Sequence, residues 1–215
     1  LQRAWPFLIQ GFQITIEIWA ISIVIGIVVG LFSCLMKISR FKVLNLISNF
    51  YIWLIRGTPM IVQALVVYFG MPQVIPGFHP TPFMAGIITL SLNAGAYLSE
   101  IFRSGIQAVP KGQTEAARSL GLSSWQSMRL VVLPQAIKNV LPALANEVVT
   151  MVKESSICSM LGMAELMFGS KTVATGTYIT LAPYTIAALI YFCINYPASK
   201  AIEAIERRMR RGDKQ

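Results

Sequence analysis

Charged residues in this chain come in blocks, and long apolar stretches lie between them. Residues 18–36, 57–99 and 172–199 contain no Asp, Glu, Lys or Arg, over 19, 43 and 28 positions. A bilayer core is crossed by about 20 mostly apolar residues in a helix. A helix also pairs its own backbone groups where lipid offers no partner. The pattern predicts an all-α integral membrane protein, a single membrane domain over 1–215. Five transmembrane helices are expected, at about 11–36, 43–70, 83–106, 130–152 and 178–199.

Two spans are irregular. The second would reach about 42 Å as one straight helix, more than the core requires. Arg56-Gly57-Thr58-Pro59 interrupts it. An interfacial helix, a break and then the true span fit that interruption, with Pro59 in the first turn of the second helix, where its missing N–H costs nothing. The loop from Gly70 to Pro82 holds four prolines and splits the long uncharged run. The fourth span is poorly marked by hydropathy because Lys138, Glu147, Lys153 and Glu154 interrupt it. Residues 155–175 are mixed, with glycines, and fit a re-entrant segment.

Composition agrees. Charged residues are 13% and hydrophobic residues 55%, against roughly 25% charged in soluble domains. That argues against a soluble globule, a disordered chain and a collagen-like fibre. The net charge of +9 is first a topology signal. Three basic residues lie in the loop 37–42, four in 103–129 and five in the tail from Arg207, against none in 71–82 and two in 153–177. The loops after spans one and three, and the tail, are therefore expected in the cytoplasm, giving N-out, C-in. No aromatic platform is interleaved with the basic residues, so no nucleic-acid partner is expected. The tail fits an anchor on anionic membrane lipid. The start shows no basic region followed by a short apolar run and a small-residue cleavage site, so no signal peptide is expected. Cys34, Cys158 and Cys193 lie far apart with no CxxC pair, which points to packing rather than metal or disulfides. His79 is the only histidine and reads as inert.

The segment 107–134, QAVPKGQTEAARSLGLSSWQSMRLVVLP, is more than a loop. Thr114–Leu120 suits a short helix, Gly121 its left-handed stop, and Ser123 with Gln126 a capping box opening the next helix. Ala116 and Ala117 offer a bare face beside Leu120 and Leu122. Such a helix suits docking into a soluble partner, or an ordinary interfacial role.

Polar residues inside the spans are the other signal. An ionisable group at the bilayer centre costs at least about 2.5–3.5 kcal/mol, so it faces a cavity or a partner. Asn93 and Glu100 are seven apart on one helix face, with Thr89 and Ser104 close to it. Glu100 and Arg103, at i,i+3, fit a structural ion pair or a pathway lining. Glu147, Thr150 and Glu154 share a face of span four and fit a wet pathway. Arg56-Gly57-Thr58-Pro59 fits a gate hinge or a lipid-headgroup anchor. Tyr178, Tyr184, Tyr191 and Tyr196 read as packing and interfacial belt.

Glu115-Ala116-Ala117, then Gly121, then Val131-Val132-Leu133-Pro134 resembles the EAA motif of ABC importer membrane subunits, with Val131 at the usual Ile. More narrowly the chain resembles the polar amino acid permease family. That likeness rests on Arg56-Gly57-Thr58-Pro59, on Tyr97-Leu98-Ser99-Glu100-Ile101-Phe102-Arg103, on Lys111-Gly112-Gln113-Thr114-Glu115-Ala116-Ala117 and on Lys153-Glu154-Ser155-Ser156. The last more often reads Lys-Asp-Thr-Ser in the family.

The resemblance implies a type I ABC importer transmembrane domain in the cell membrane, with a coupling helix at about 112–122. Gln113, Glu115, Ala116, Ala117, Leu120 and Gly121 would meet a separate ATP-binding subunit. It also implies a second permease copy, with a homodimer expected, and an extracytoplasmic amino acid-binding protein. The chain has no Gly-x-x-x-x-Gly-Lys-Ser/Thr loop, so no cofactor is expected in it, and ATP and Mg belong to the ATPase. No enzyme activity is expected. Carboxylates at Glu147 and Glu154 suit a cationic amino acid, beside Lys153. Ser91, Asn93, Ser155 and Ser156 are candidates for its carboxylate, and Glu100 is a further candidate contact. An ATP-independent transporter or channel for small polar solutes is the alternative.

Overall fold

A computed structural model describes residues 5–212, all of whose regular elements are helical. The run without charge at the start becomes α1, Trp5–Ile38, longer at both ends than its apolar stretch. α2 (Lys42–Arg56), α3 (Met60–Leu65) and α4 (Met71–Val74) make up the interrupted second segment. α5 (Pro82–Gln107) starts on Thr81, whose hydroxyl accepts from the Met84 N–H. α6 (Lys111–Ser119) and α7 (Ser124–Ser127) form the polar segment, and α8 (Leu133–Glu154) follows. A 3-10 turn, Ser155–Leu161, leads to α9 (Leu166–Thr177), and α10 (Leu181–Gly212) closes the chain. α10 carries the backbone through the tail arginines, while Lys214 lies outside the described residues.

Three helices are long and apolar enough to cross a membrane alone: Trp5–Ile38, Pro82–Gln107 and Leu181–Arg207. The pair Lys42–Arg56 and Met60–Val74, bent by 105°, makes a fourth if counted as one span. α8 does not join them, because its four charged residues lower its apolarity, as expected.

α5 is the central mast, and α1 packs along it. Gly26 and Gly30 let the two backbones close: a Cβ at Gly30 would stand 2.8 Å from Leu98 Cβ, and one at Gly26 3.0 Å from Ala94 Cβ. Small residues at four-residue spacing are how membrane helices gain dispersion contact, since lipid supplies little hydrophobic drive between them. Ile18, Leu90, Leu98 and Met151 form the core where α1, α5 and α8 meet. α8 crosses α5 at Gly105, where an added Cβ would run into Val140. The Trp19 indole N–H of α1 also donates to the Val148 carbonyl, 2.8 Å away.

α2 corrects the expectation of a surface-lying helix. It runs antiparallel beside α1: Ser48 donates to the Ser33 carbonyl at 2.7 Å and Asn45 to that of Lys37. Tyr51 reaches the Leu92 carbonyl of α5 at 2.6 Å. Its polar side chains thus face the bundle, while Val43, Leu46, Phe50 and Trp53 point out. A helix at a water interface would show the reverse. Pro59 also sits one residue earlier than expected, as the N-cap of α3 rather than inside its first turn.

Two π-turns interrupt the helices, Val66–Gly70 and Met128–Val132. Each ends two residues before a proline. The N–H of Met71 reaches back five residues to Val66, and that of Leu133 to Met128. Pro72 and Pro134 follow directly. A proline ring clashes with the carbonyl four residues back and offers no N–H to it, so the preceding turn widens.

Candidate functional site: a polar strip on four helices

The bend after α2 is built by the side chains around it. The Gly57 N–H closes α2 on the Trp53 carbonyl at 2.9 Å, and the Thr58 hydroxyl donates to Leu54 O. Gln63, one turn into α3, reaches back across the break. Its amide donates to Ile55 O at 2.7 Å, to Thr58 O at 3.0 Å and to Thr58 Oγ1 at 2.9 Å. Its Oε1 accepts from Asn93 Nδ2 of α5 at 3.2 Å. The bend is therefore held by one glutamine, which sequence reading missed. A polar residue at four-residue spacing from Pro59 was the only signal.

Arg56 is exposed at this bend. Its guanidinium lies 5.0 Å from the centroid of the Tyr97 ring on α5, a cation–π contact. Glu147 and Glu154 are both partly buried. Neither has a cation within 4.0 Å among the described residues.

Glu100 sits one turn beyond Tyr97. The expected pair with Arg103 is present at 2.7 Å, and Lys37 at the end of α1 adds a second cation at 2.5 Å. Arg103 also donates to Gln107. Lys37 was read only as loop charge, since nothing in sequence couples it to a residue 63 positions away. Glu154, Glu147, Arg56, Glu100 and Lys37 form a strip of mixed sign toward the basic end of the bundle.

Several expected contacts face elsewhere. Ser155 is fully buried and donates to Val152 O at 2.7 Å. Ser91 is 2% exposed and Asn93 4%, with Asn93 committed to Gln63. These three sit where helices touch, because small polar residues are also what close helix packing requires, and they present no surface to a solute in this conformation. Thr89 is likewise buried, bonded to Ala85 O. Ser156 donates to Lys153 O, and Lys153 is exposed.

A second buried cluster was missed entirely. Glu165 is fully buried and caps α9, accepting from the Met167 and Phe168 N–H groups at 2.9 and 2.7 Å. The Tyr191 hydroxyl donates to it at 3.1 Å, so Tyr191 is a specific hydrogen-bond donor rather than belt. Nearby, Thr15 Oγ1 accepts from the Leu166 N–H. The cluster ties the 155–175 segment to α1 and α10.

The polar segment folds as expected, with one change. Gly121 has φ +86° and ends α6. Ser123 and Gln126 make both bonds of the capping box. α6 starts at Lys111, slightly earlier than expected. Gln113, Glu115, Ala116 and Leu120 are exposed, with Leu120 at 84% and Trp125 at 70%. Ala117 is 5% exposed, and its carbonyl takes the Leu122 N–H.

Comparison with known proteins bears on this arrangement. The family described as "Binding-protein-dependent transport system inner membrane component" matches residues 22–211. The arginine transport system permease protein ArtQ of Bacillus subtilis (strain 168) is 41% identical over 208 residues, covering 97% of this chain and 94% of its own. The glutamine transport system permease protein GlnP of Escherichia coli (strain K12) is 33% identical over 207 residues, covering 96% and 94%. A crystal structure of an amino acid ABC transporter with histidines aligns with TM-score 0.91 at 44% identity, covering 96% of this chain and 95% of that one.

Proposed function

The chain belongs to the family of inner membrane components of binding-protein-dependent transport systems, and we propose that it carries a basic L-amino acid inward, powered by a separate ATPase. The coarser statement stands on the relatives: it is a membrane permease subunit of an amino acid ABC transporter and not itself an enzyme. An ATPase and a binding protein are its partners in that assembly.

One observation carries the finer reading. Glu147 and Glu154 stand seven residues apart on one face of α8, partly buried, with no cation within 4.0 Å of either among the described residues. Two carboxylates in a low-dielectric setting attract a guanidinium or ammonium, and a charge-assisted pair of this kind is stronger than a neutral one. The relative named for arginine supports that choice. The relative named for glutamine supports a neutral substrate instead, which would leave the two carboxylates unmatched.

In this reading five spans place the basic end in the cytoplasm. Gln113, Glu115, Ala116, Leu120 and Gly121 of the α6 region dock on the ATPase, which binds ATP and Mg. A second copy of the chain completes a two-fold core. ATPase closure moves the α6–α7 segment, α8 follows through the π-turn before Pro134, and the strip alternates between outside and inside. The bend held by Gln63 serves as gate, with Arg56, Gly57, Thr58 and Pro59 in it.

Calorimetry on the detergent-solubilised complex with its ATPase tests this, using arginine, lysine, histidine, glutamine and glutamate. Arginine or lysine is expected to bind, and Glu154→Gln to weaken it at least about tenfold. Glutamine binding that is indifferent to Glu154→Gln would overturn the basic substrate.

A further inference from the structure

A groove of about 450 Å³ opens between α2 and the basic end of α5, apart from the α8 carboxylates. Its volume lies within the roughly 300–1,000 Å³ of small-molecule sites. Lys37, Asn49, Trp53, Arg56 and Glu100 line it. Both signs of charge therefore stand in one small groove, against the apolar wall of Ile52 and Trp53.

The two ends differ chemically. Arg56 has no carboxylate within 4.0 Å among the described residues, only the Tyr97 face. Its guanidinium can take a carboxylate in a two-pronged bond without losing the ring beneath it. At the other end Glu100 serves two cations, Lys37 and Arg103, and a carboxylate accepts up to about four hydrogen bonds. Asn49 gives its amide N–H to Asn45 Oδ1 at 2.7 Å and keeps its own carbonyl oxygen as an acceptor. A carboxylate acceptor site at one end and an ammonium acceptor site at the other match the head of an α-amino acid, whatever its side chain.

We propose that this groove is an inner binding station for the zwitterionic head of the transported amino acid, distinct from the α8 glutamates. The substrate α-carboxylate lies on Arg56, and the α-ammonium on Glu100 and Asn49. This rests on the reading of the chain as an amino acid permease. The outer station reads the side chain and the inner one reads the head.

Equilibrium dialysis of radiolabelled L-arginine against the nucleotide-free complex with its ATPase tests the count. Two molecules per permease chain are expected, one lost in Glu154→Gln and the other in Arg56→Gln. Asn49→Leu should weaken the second by about tenfold, and Arg56→Lys should retain it. Agmatine, which lacks the α-carboxylate, should displace the outer molecule only. Co-elution of each variant with the ATPase shows that it is folded. One molecule per chain, lost in Glu154→Gln and kept in Arg56→Gln, overturns the inner station and leaves the basic-substrate reading standing. One molecule lost in both variants also overturns it, since the strip is then a single site. Binding lost in Arg56→Gln but unaffected by Glu154→Gln keeps the groove and overturns the role given to α8. No binding by folded complex overturns both.

Discussion

Glu100 stands between two positive charges, and Glu100→Gln removes the negative one. Lys37 lies 2.5 Å from one carboxylate oxygen and Arg103 2.7 Å from the other. The side chains are 19%, 28% and 19% exposed for Lys37, Arg103 and Glu100, so the cluster is neither a surface pair nor fully buried. Exposed pairs contribute about 0–1 kcal/mol, while breaking a buried pair costs about 3–5 kcal/mol. Glutamine keeps one acceptor oxygen but leaves Lys37 and Arg103 facing each other without compensation. A loss of about 2 kcal/mol lies between those limits, or about 30-fold in the folded-to-unfolded ratio. Denaturant titration of the solubilised chain, followed by tryptophan fluorescence, reads this. A double-mutant cycle with Lys37→Met should return a coupling of about 1–2 kcal/mol. If Glu100→Gln stays within about 0.5 kcal/mol of the parent and the two changes add, the cluster is only a surface pair and does not join α1 to α5.

Three further outcomes follow from single contacts. Glu165→Ala leaves the Met167 and Phe168 N–H groups and the Tyr191 hydroxyl without their acceptor in a fully buried site. It should cost at least about 3 kcal/mol and give an aggregated peak in size-exclusion chromatography, with Glu165→Gln falling in between. Gly105→Leu puts a side chain into Val140 and 3.1 Å or less from the Ala136 carbonyl. It should cost about 1–3 kcal/mol, read as a lowered melting temperature, unless α5 and α8 separate freely. Gly121→Ala forces φ +86° on a residue with a Cβ, costing about 1–2 kcal/mol; co-purification with the ATPase should drop while the amount of inserted chain stays constant.

Much of the fold was legible because its signals are local. The break at Arg56–Pro59, the stop at Gly121 and the Ser123–Gln126 box each need only a few consecutive residues, and each stands as read. The position of α2 was misread because chain length and the break at Arg56–Pro59 were its only signals. The partners of Asn45, Ser48 and Tyr51 on α1 and α5 decide it. Ser91, Asn93 and Ser155 lie buried at helix contacts, and a serine or asparagine there has the same letter as one in a pathway.

Glu165, Gln63 and Lys37 were missed because each acts at long range. Glu165 meets Tyr191 26 residues away, Gln63 meets Asn93 30 away, and Lys37 meets Glu100 63 away. No period or spacing encodes such pairs.

The chain's own order of residues settled what depends on transfer to lipid and on local backbone chemistry: a helical membrane protein, its breaks, its capped polar segment and the asymmetry of its charge. Tertiary structure alone decided which polar groups meet. A buried polar or charged group must find a partner or a wet space, and the packing of α1, α5 and α8 determines which. That packing gave Lys37 to Glu100 and Asn93 to Gln63. It left Arg56, Glu147 and Glu154 without an ion-pair partner within 4.0 Å among the described residues.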